Sequence, residues 1–178
     1  MARSRGAGLW LARAAYAAIA LAAMAVLLMP LWIEPGGWPG PDLLSALTLA
    51  WVLRRPEQVP VLLIAGVMLT ADLMLQRPPG LWAALMVAGS EVLRARRRTG
   101  RPLGVVAEWA LAGTVIFAMS LADWLAMTVT LARHAPLADM LAATAVTILS
   151  YPLTALGLRL AGVRRLDYPQ GVIRRTRT

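Results

Sequence analysis

The sequence predicts an all-α membrane protein, a polytopic bundle of about six transmembrane helices. Three observations predict it. The 178 residues are 59% hydrophobic, with a mean hydropathy of +0.64, where a soluble domain is about 45–50% apolar. Only 15% of residues are charged, and those charges sit in clusters between long apolar runs. The clusters that are rich in arginine occur at every second break, as a chain crossing a bilayer back and forth requires.

The first segment, Leu9 to Ile33, is rich in Ala and Leu. Its start, Met1-Ala-Arg-Ser-Arg, looks like the n-region of a signal peptide, but an apolar run of about 20 residues exceeds a signal h-region. It reads as a retained helix. Glu34 to Pro41, "EPGGWPGP", is a turn whose Gly, Pro and Trp content suits an interface. The second segment, 42–54, is short for a span, which needs about 20 residues; neighbouring helices would have to shield it. Arg54-Arg-Pro-Glu-Gln ends it. Segments at 59–75, 81–94, 103–131 and 137–161 follow, separated by "QRPPG", by the basic run from Arg94, and by the stretch around His134. Residues 1–165 form the transmembrane domain and 166–178 a basic tail.

All 18 basic residues are Arg. Arg3, Arg5, Arg13, Arg54, Arg55, Arg94, Arg96, Arg97, Arg98, Arg101, Arg159, Arg164, Arg165, Arg174, Arg175 and Arg177 fall on one side of this topology. Only Arg77 and Arg133 fall on the other. The positive-inside rule then places both termini in the cytoplasm of a multi-pass inner-membrane protein. The net charge of +9 is a topology signal with contacts to anionic lipid, and argues against nucleic acid. Arg94, Arg96, Arg97, Arg98 and Arg101 are the candidates for binding that lipid or a cytoplasmic partner.

An ionised side chain in hydrocarbon costs several kcal/mol, so each acid within a span needs a partner or a purpose. Asp72, in "VLLIAGVMLTADLML", lies one turn from the end of its segment. Its carboxylate can accept N–H groups of the following turn, pair with Arg77, or serve as a proton or ion site. Glu91 has Arg94 at i+3. Glu108 can snorkel or meet the arginine cluster. Asp123, in "AMSLADWLAM", has no basic neighbour in sequence; a partner from another helix or another protein is expected, with Ser120 and Trp124 beside it. Asp42 and Asp139 open helices, where carboxylates are favoured.

Catalytic signals are absent from the sequence. Cys is absent, the single His134 sits at a helix boundary, and no helix carries two acids at metal-ligand spacing. There is no phosphate-binding glycine loop, and no Ser-His-Asp set can be built when the only His is at a helix boundary. No cofactor, metal or enzymatic activity is expected. Ala14, Ala18 and Ala22, and Ala84 and Ala88, form small-residue stripes that permit close helix packing. Pro152 should kink its helix and release a backbone carbonyl.

The order of these pieces resembles the MreD family of the bacterial rod-shape system. The similarity runs from about Leu9 to Arg165: a first span, Pro41 before a short helix "LLSALTLAWVLRRPE", then an apolar helix ending in Asp72-Leu73, a turn with Pro78 and Gly80, and a closing helix followed by Arg159, Arg164 and Arg165. Met68 and Gln76 stand where the family commonly has glycine. The resemblance implies a six-helix bundle similar to the membrane substrate-binding subunits of energy-coupling-factor transporters. It implies a non-catalytic scaffold that binds MreC, a single-span protein with a periplasmic domain. Through MreC it implies links to the MreB filament, the RodA glycosyltransferase and its partner transpeptidase, in support of lateral peptidoglycan synthesis. Asp72, Pro78, Gly80, Pro41, Asp123, Trp124 and Pro152 are the structural or partner-interface candidates. The rival is a vitamin-type binding subunit of such a transporter, which needs an outward polar, aromatic-lined pocket; Asp123, Ser120, Thr128 and Trp124 are its best candidates.

Overall fold

The computed structural model describes residues 2–28, 40–98, 104–132 and 135–163, and all statements of structure below concern these residues. They form six α-helices and no strand: α1 (Ala2–Leu28), α2 (Leu43–Arg54), α3 (Val61–Met74), α4 (Leu81–Arg98), α5 (Val105–Val129) and α6 (Leu137–Leu160). A 3-10 turn, Pro56–Gln58, joins α2 to α3. Three helices are long and apolar enough to cross a membrane: Ala7–Leu28 of α1, α5 and α6. Residues 29–39, the remainder of the first segment and its turn, lie outside the described residues, as do Arg101, Arg133, His134 and the basic tail.

Two boundaries differ from the sequence reading. Helix α1 begins at Ala2 rather than Leu9, because nothing in "ARSRGAG" breaks a helix once the apolar run nucleates it. Helix α4 runs a further turn, to Arg98 rather than 94, with Arg96, Arg97 and Arg98 in its last turn, where cations meet the negative end of the helix dipole.

The short α2 is the axis of the bundle. Ten of its twelve residues are buried, from Leu44 to Arg54, under α6 and α4 with α1 and α5 beyond. At 1.5 Å per residue it is only about 18 Å long. Its flanks are covered by protein. Its start is fixed by Asp42, whose carboxylate accepts from Ser45 N at 3.0 Å and from Ser45 Oγ at 2.8 Å, an N-cap.

Helix α1 covers one side of α2 and α3 with a single narrow face, Tyr16, Ala20 and Met24, all buried. Thr48 donates to Leu44 O, so the Tyr16 hydroxyl is the donor to Thr48 Oγ1, at 3.0 Å. The Tyr16 ring meets Trp51 edge-on, 5.5 Å between centroids. The alanine stripes lie on other faces: Ala14, Ala18 and Ala22 of α1 are exposed, as are Ala84 and Ala88 of α4. They do not pack the interior. The close approaches use glycines instead. A Cβ at Gly89 of α4 would run into Met119 and Val115 of α5, and one at Gly113 of α5 would lie 3.1 Å from Ile148 of α6.

Candidate functional site

The helices alternate in direction. One end of the bundle gathers the end of α1, the starts of α2, α4 and α6, and the ends of α3 and α5 around one cavity of about 850 Å3. This is the end that carries Arg77; the arginines of α2, α4 and α6 lie at the opposite end.

The α3–α4 turn forms part of the cavity rim. Helix α3 closes with Arg77 N donating to Asp72 O at 2.9 Å, around Gln76 at φ 55°. This is a Schellman-type ending, whose left-handed residue is usually glycine. Gln76 thus occupies the conformation that favours glycine. Gly80, at φ +88°, makes the second reversal and leads into α4.

Asp72 has no exposed surface. Its Oδ2 accepts from Gly80 N at 3.0 Å and from Ala83 N at 3.2 Å. A carboxylate from α3 therefore caps α4, which has no Ser, Thr, Asn or Asp of its own at the start, "PPGLWAA". Of the partners open to Asp72 in sequence, the turn amides are taken. Arg77 instead pairs with Asp42, Nη1 to Oδ2 at 3.7 Å, and covers the Trp82 ring at 5.6 Å. Trp82 Nε1 donates to Ser45 Oγ at 3.1 Å, and Asp42 N donates to Thr147 Oγ1 at 2.9 Å. One polar network so ties α2, α4, the turn and α6 together at the cavity.

Across from it, Ser120, Asp123 and Trp124 of α5 line the wall, with Asp139 of α6 nearer the exterior. Pro41 and Pro78 also line the cavity; Thr128 does not, its hydroxyl donating to Trp124 O at 2.8 Å. Asp123 makes no hydrogen bond or ion pair among the described residues.

The opposite end holds a group that sequence reasoning missed. Arg54 ends its segment in the sequence and falls on the basic side of the topology, but its side chain is only 1% exposed. It lies inside the bundle, with Nη1 3.4 Å from Glu108 Oε1 and 3.1 Å from Ala50 O. The Tyr151 hydroxyl donates to the same Glu108 oxygen at 3.1 Å. Helices α2, α5 and α6 are thereby joined through one buried carboxylate. Glu108 does not snorkel. The signal was present in outline: Arg54 follows an apolar run with no break before it, so it continues the helix and shares its burial.

The arginines of α4 divide by role. Arg94 pairs with Glu91 at 3.0 Å, as the i,i+3 spacing predicts, and also donates to Val59 O. Arg97 donates to Leu53 O. Arg97 thus satisfies a carbonyl at the end of α2, and Arg94 one just after the 3-10 turn that leads into α3. Arg96 and Arg98 are exposed. Pro152 is exposed on α6, away from the cavity. No group of three or more metal-ligating side chains occurs among the described residues.

No protein-family model matches the chain, and neither does any curated protein or solved structure with which it was compared.

Proposed function

We propose that the chain is a non-catalytic inner-membrane scaffold of the MreD type, working in cell elongation with a single-span partner of the MreC type. The observation that carries this reading is the Asp72 unit. Asp72, Leu73, Pro78 and Gly80 are the residues on which the resemblance is most specific, and two of them, Asp72 and Gly80, belong to one device: a carboxylate that caps the next helix across a turn whose left-handed residues are Gln76 and Gly80. A turn so fixed presents a constant outer surface, which a scaffold needs. The exposed alanine stripes of α1 and α4 offer faces against which another helix can pack closely.

In this reading the six helices all cross the membrane, α2 within the bundle, and both termini are cytoplasmic. Arg96 and Arg98 face anionic lipid or a cytoplasmic partner. The test is co-purification of the tagged chain from its native membrane in mild detergent, with mass spectrometry of proteins and small molecules together. A single-span periplasmic protein and wall-synthesis enzymes are the expected companions. Recovery of ATPase subunits with a stoichiometric vitamin-like ligand would overturn it.

That second outcome corresponds to the rival reading, a solute-binding subunit of a transporter. One observation favours it: the cavity contains Ser120, Asp123 and Trp124, three of the four residues that such a pocket was expected to use.

A further inference from the structure

The cavity at the α3–α4 turn has unequal charges. Among its described lining residues are Asp42, Asp123 and Asp139, against Arg77 alone. Asp42 is already matched by Ser45 and Arg77. Asp139 is exposed, and Asp123, part-buried, makes no hydrogen bond or ion pair among the described residues. Asp123 is part of α5, one of the helices able to cross a membrane, and a lone carboxylate there is costly unless something answers it. The rest of the wall is largely apolar, with Leu27, Ile116, Met119 and Met140. A cavity of about 850 Å3 has the size of a site for a small organic molecule or a lipid headgroup with the first part of its chains.

We propose that this cavity binds a primary ammonium group carried on an apolar or amphipathic body, with Asp123 as the anchoring carboxylate. A part-buried carboxylate that lacks a donor calls for a cation with N–H groups. A quaternary ammonium would instead need a cage of open aromatic faces, and the aromatic side chains among the described lining residues are Trp82, whose ring Arg77 covers, and Trp124. The ammonium can come from an aminophospholipid headgroup at the membrane surface or from a free amine. The inference concerns the occupant of the cavity and stands apart from the scaffold reading; the companions recovered in the co-purification do not decide it.

The test uses the full chain in nanodiscs and native mass spectrometry. The probes are phosphatidylethanolamine and phosphatidylcholine of identical acyl chains, and free hexylamine. The wild type should retain phosphatidylethanolamine over phosphatidylcholine by about tenfold, the scale of one charge-assisted hydrogen bond. Asp123→Asn should bring the two lipids to parity. Ala143→Trp, which fills the cavity and leaves the carboxylates, should abolish retention; thermal melts of both variants verify that they are folded. Retention of hexylamine that depends on Asp123, without a lipid preference, assigns the ammonium to a free amine and supports the site. Equal retention of all probes by wild type and Asp123→Asn overturns it. So does a photo-crosslinker at Met127 that captures a protein segment in the cavity.

Discussion

The indole Nε1 of Trp109 donates to the carbonyl oxygen of Ile148 at 2.8 Å. Ile148 is four residues before Pro152, and proline has no N–H with which to complete the helical bond to that carbonyl. The oxygen released on α6 is thus satisfied from α5, beside the close approach of Gly113 to the same residue. Away from water such a group must find a donor, and here it is a side chain of the neighbouring helix. Trp109→Phe should lower stability in detergent by about 1–2 kcal/mol. In a Pro152→Ala background, where α6 can make its own bond, the same change should cost less than half as much. Thermal or denaturant unfolding of the four proteins measures this coupling, and equal costs in both backgrounds would refute it.

Gln76 (φ 55°) and Leu131 (φ 54°) hold the left-handed position that ends α3 and α5. At the end of α6 Gly162 (φ 82°) does the same. A side chain in that conformation costs roughly 1–2 kcal/mol, so Gln76→Gly and Leu131→Gly should each raise the unfolding midpoint. Gly80→Ala, at φ +88°, should lower it. A midpoint that falls in Gln76→Gly would mean that its side chain contributes more than the strain removes.

Asp72→Ala leaves Gly80 N and Ala83 N without their acceptor in a buried place, and should cost about 2–4 kcal/mol. Asp72→Asn keeps one carbonyl oxygen for both amides and should cost clearly less. Under the proposed function, partner recovery should fall in Asp72→Ala and largely persist in Asp72→Asn. If Asp72→Ala leaves protein level, partner recovery and stability unchanged, the capping role of this carboxylate has no consequence.

The buried Arg54, Glu108 and Tyr151 group gives a further contrast. Removing one partner strands a charge, which typically costs 3–5 kcal/mol. Glu108→Leu alone and Arg54→Met alone should therefore be severe. The double variant should cost much less than the sum, because an apolar pair replaces two desolvated charges. Additive losses would show that the two side chains do not act as a pair.

For α4, Arg98→Gln should weaken retention of anionic lipid with little change in stability. Arg94→Gln with Arg97→Gln should do the reverse, since those side chains serve the carbonyls of Val59 and Leu53. Native mass spectrometry and thermal melts on the same samples separate the two. A loss of stability in the Arg98 variant alone would reverse the assignment.

The sequence by itself determined the helices and their order. Apolar runs and the breaks between them reflect local chemistry: proline and glycine stop a helix, and hydrophobic length sets what can cross a membrane. It also announced that Pro152 would release a carbonyl and that Asp72 needed a partner, since both follow from what a single residue lacks. Who answers those needs was decided only by the tertiary structure. Trp109 lies 39 residues from Ile148, and Tyr151 lies 43 from Glu108. Asp42 drew Arg77 away from Asp72 because the start of α2 packs beside the turn. Arg54 looked like a loop charge because sequence shows where a helix ends and not how deep that end lies. Burial and long-range pairing belong to the packed bundle, so the cavity, its unequal charges and the buried ion pair came into view only with the fold.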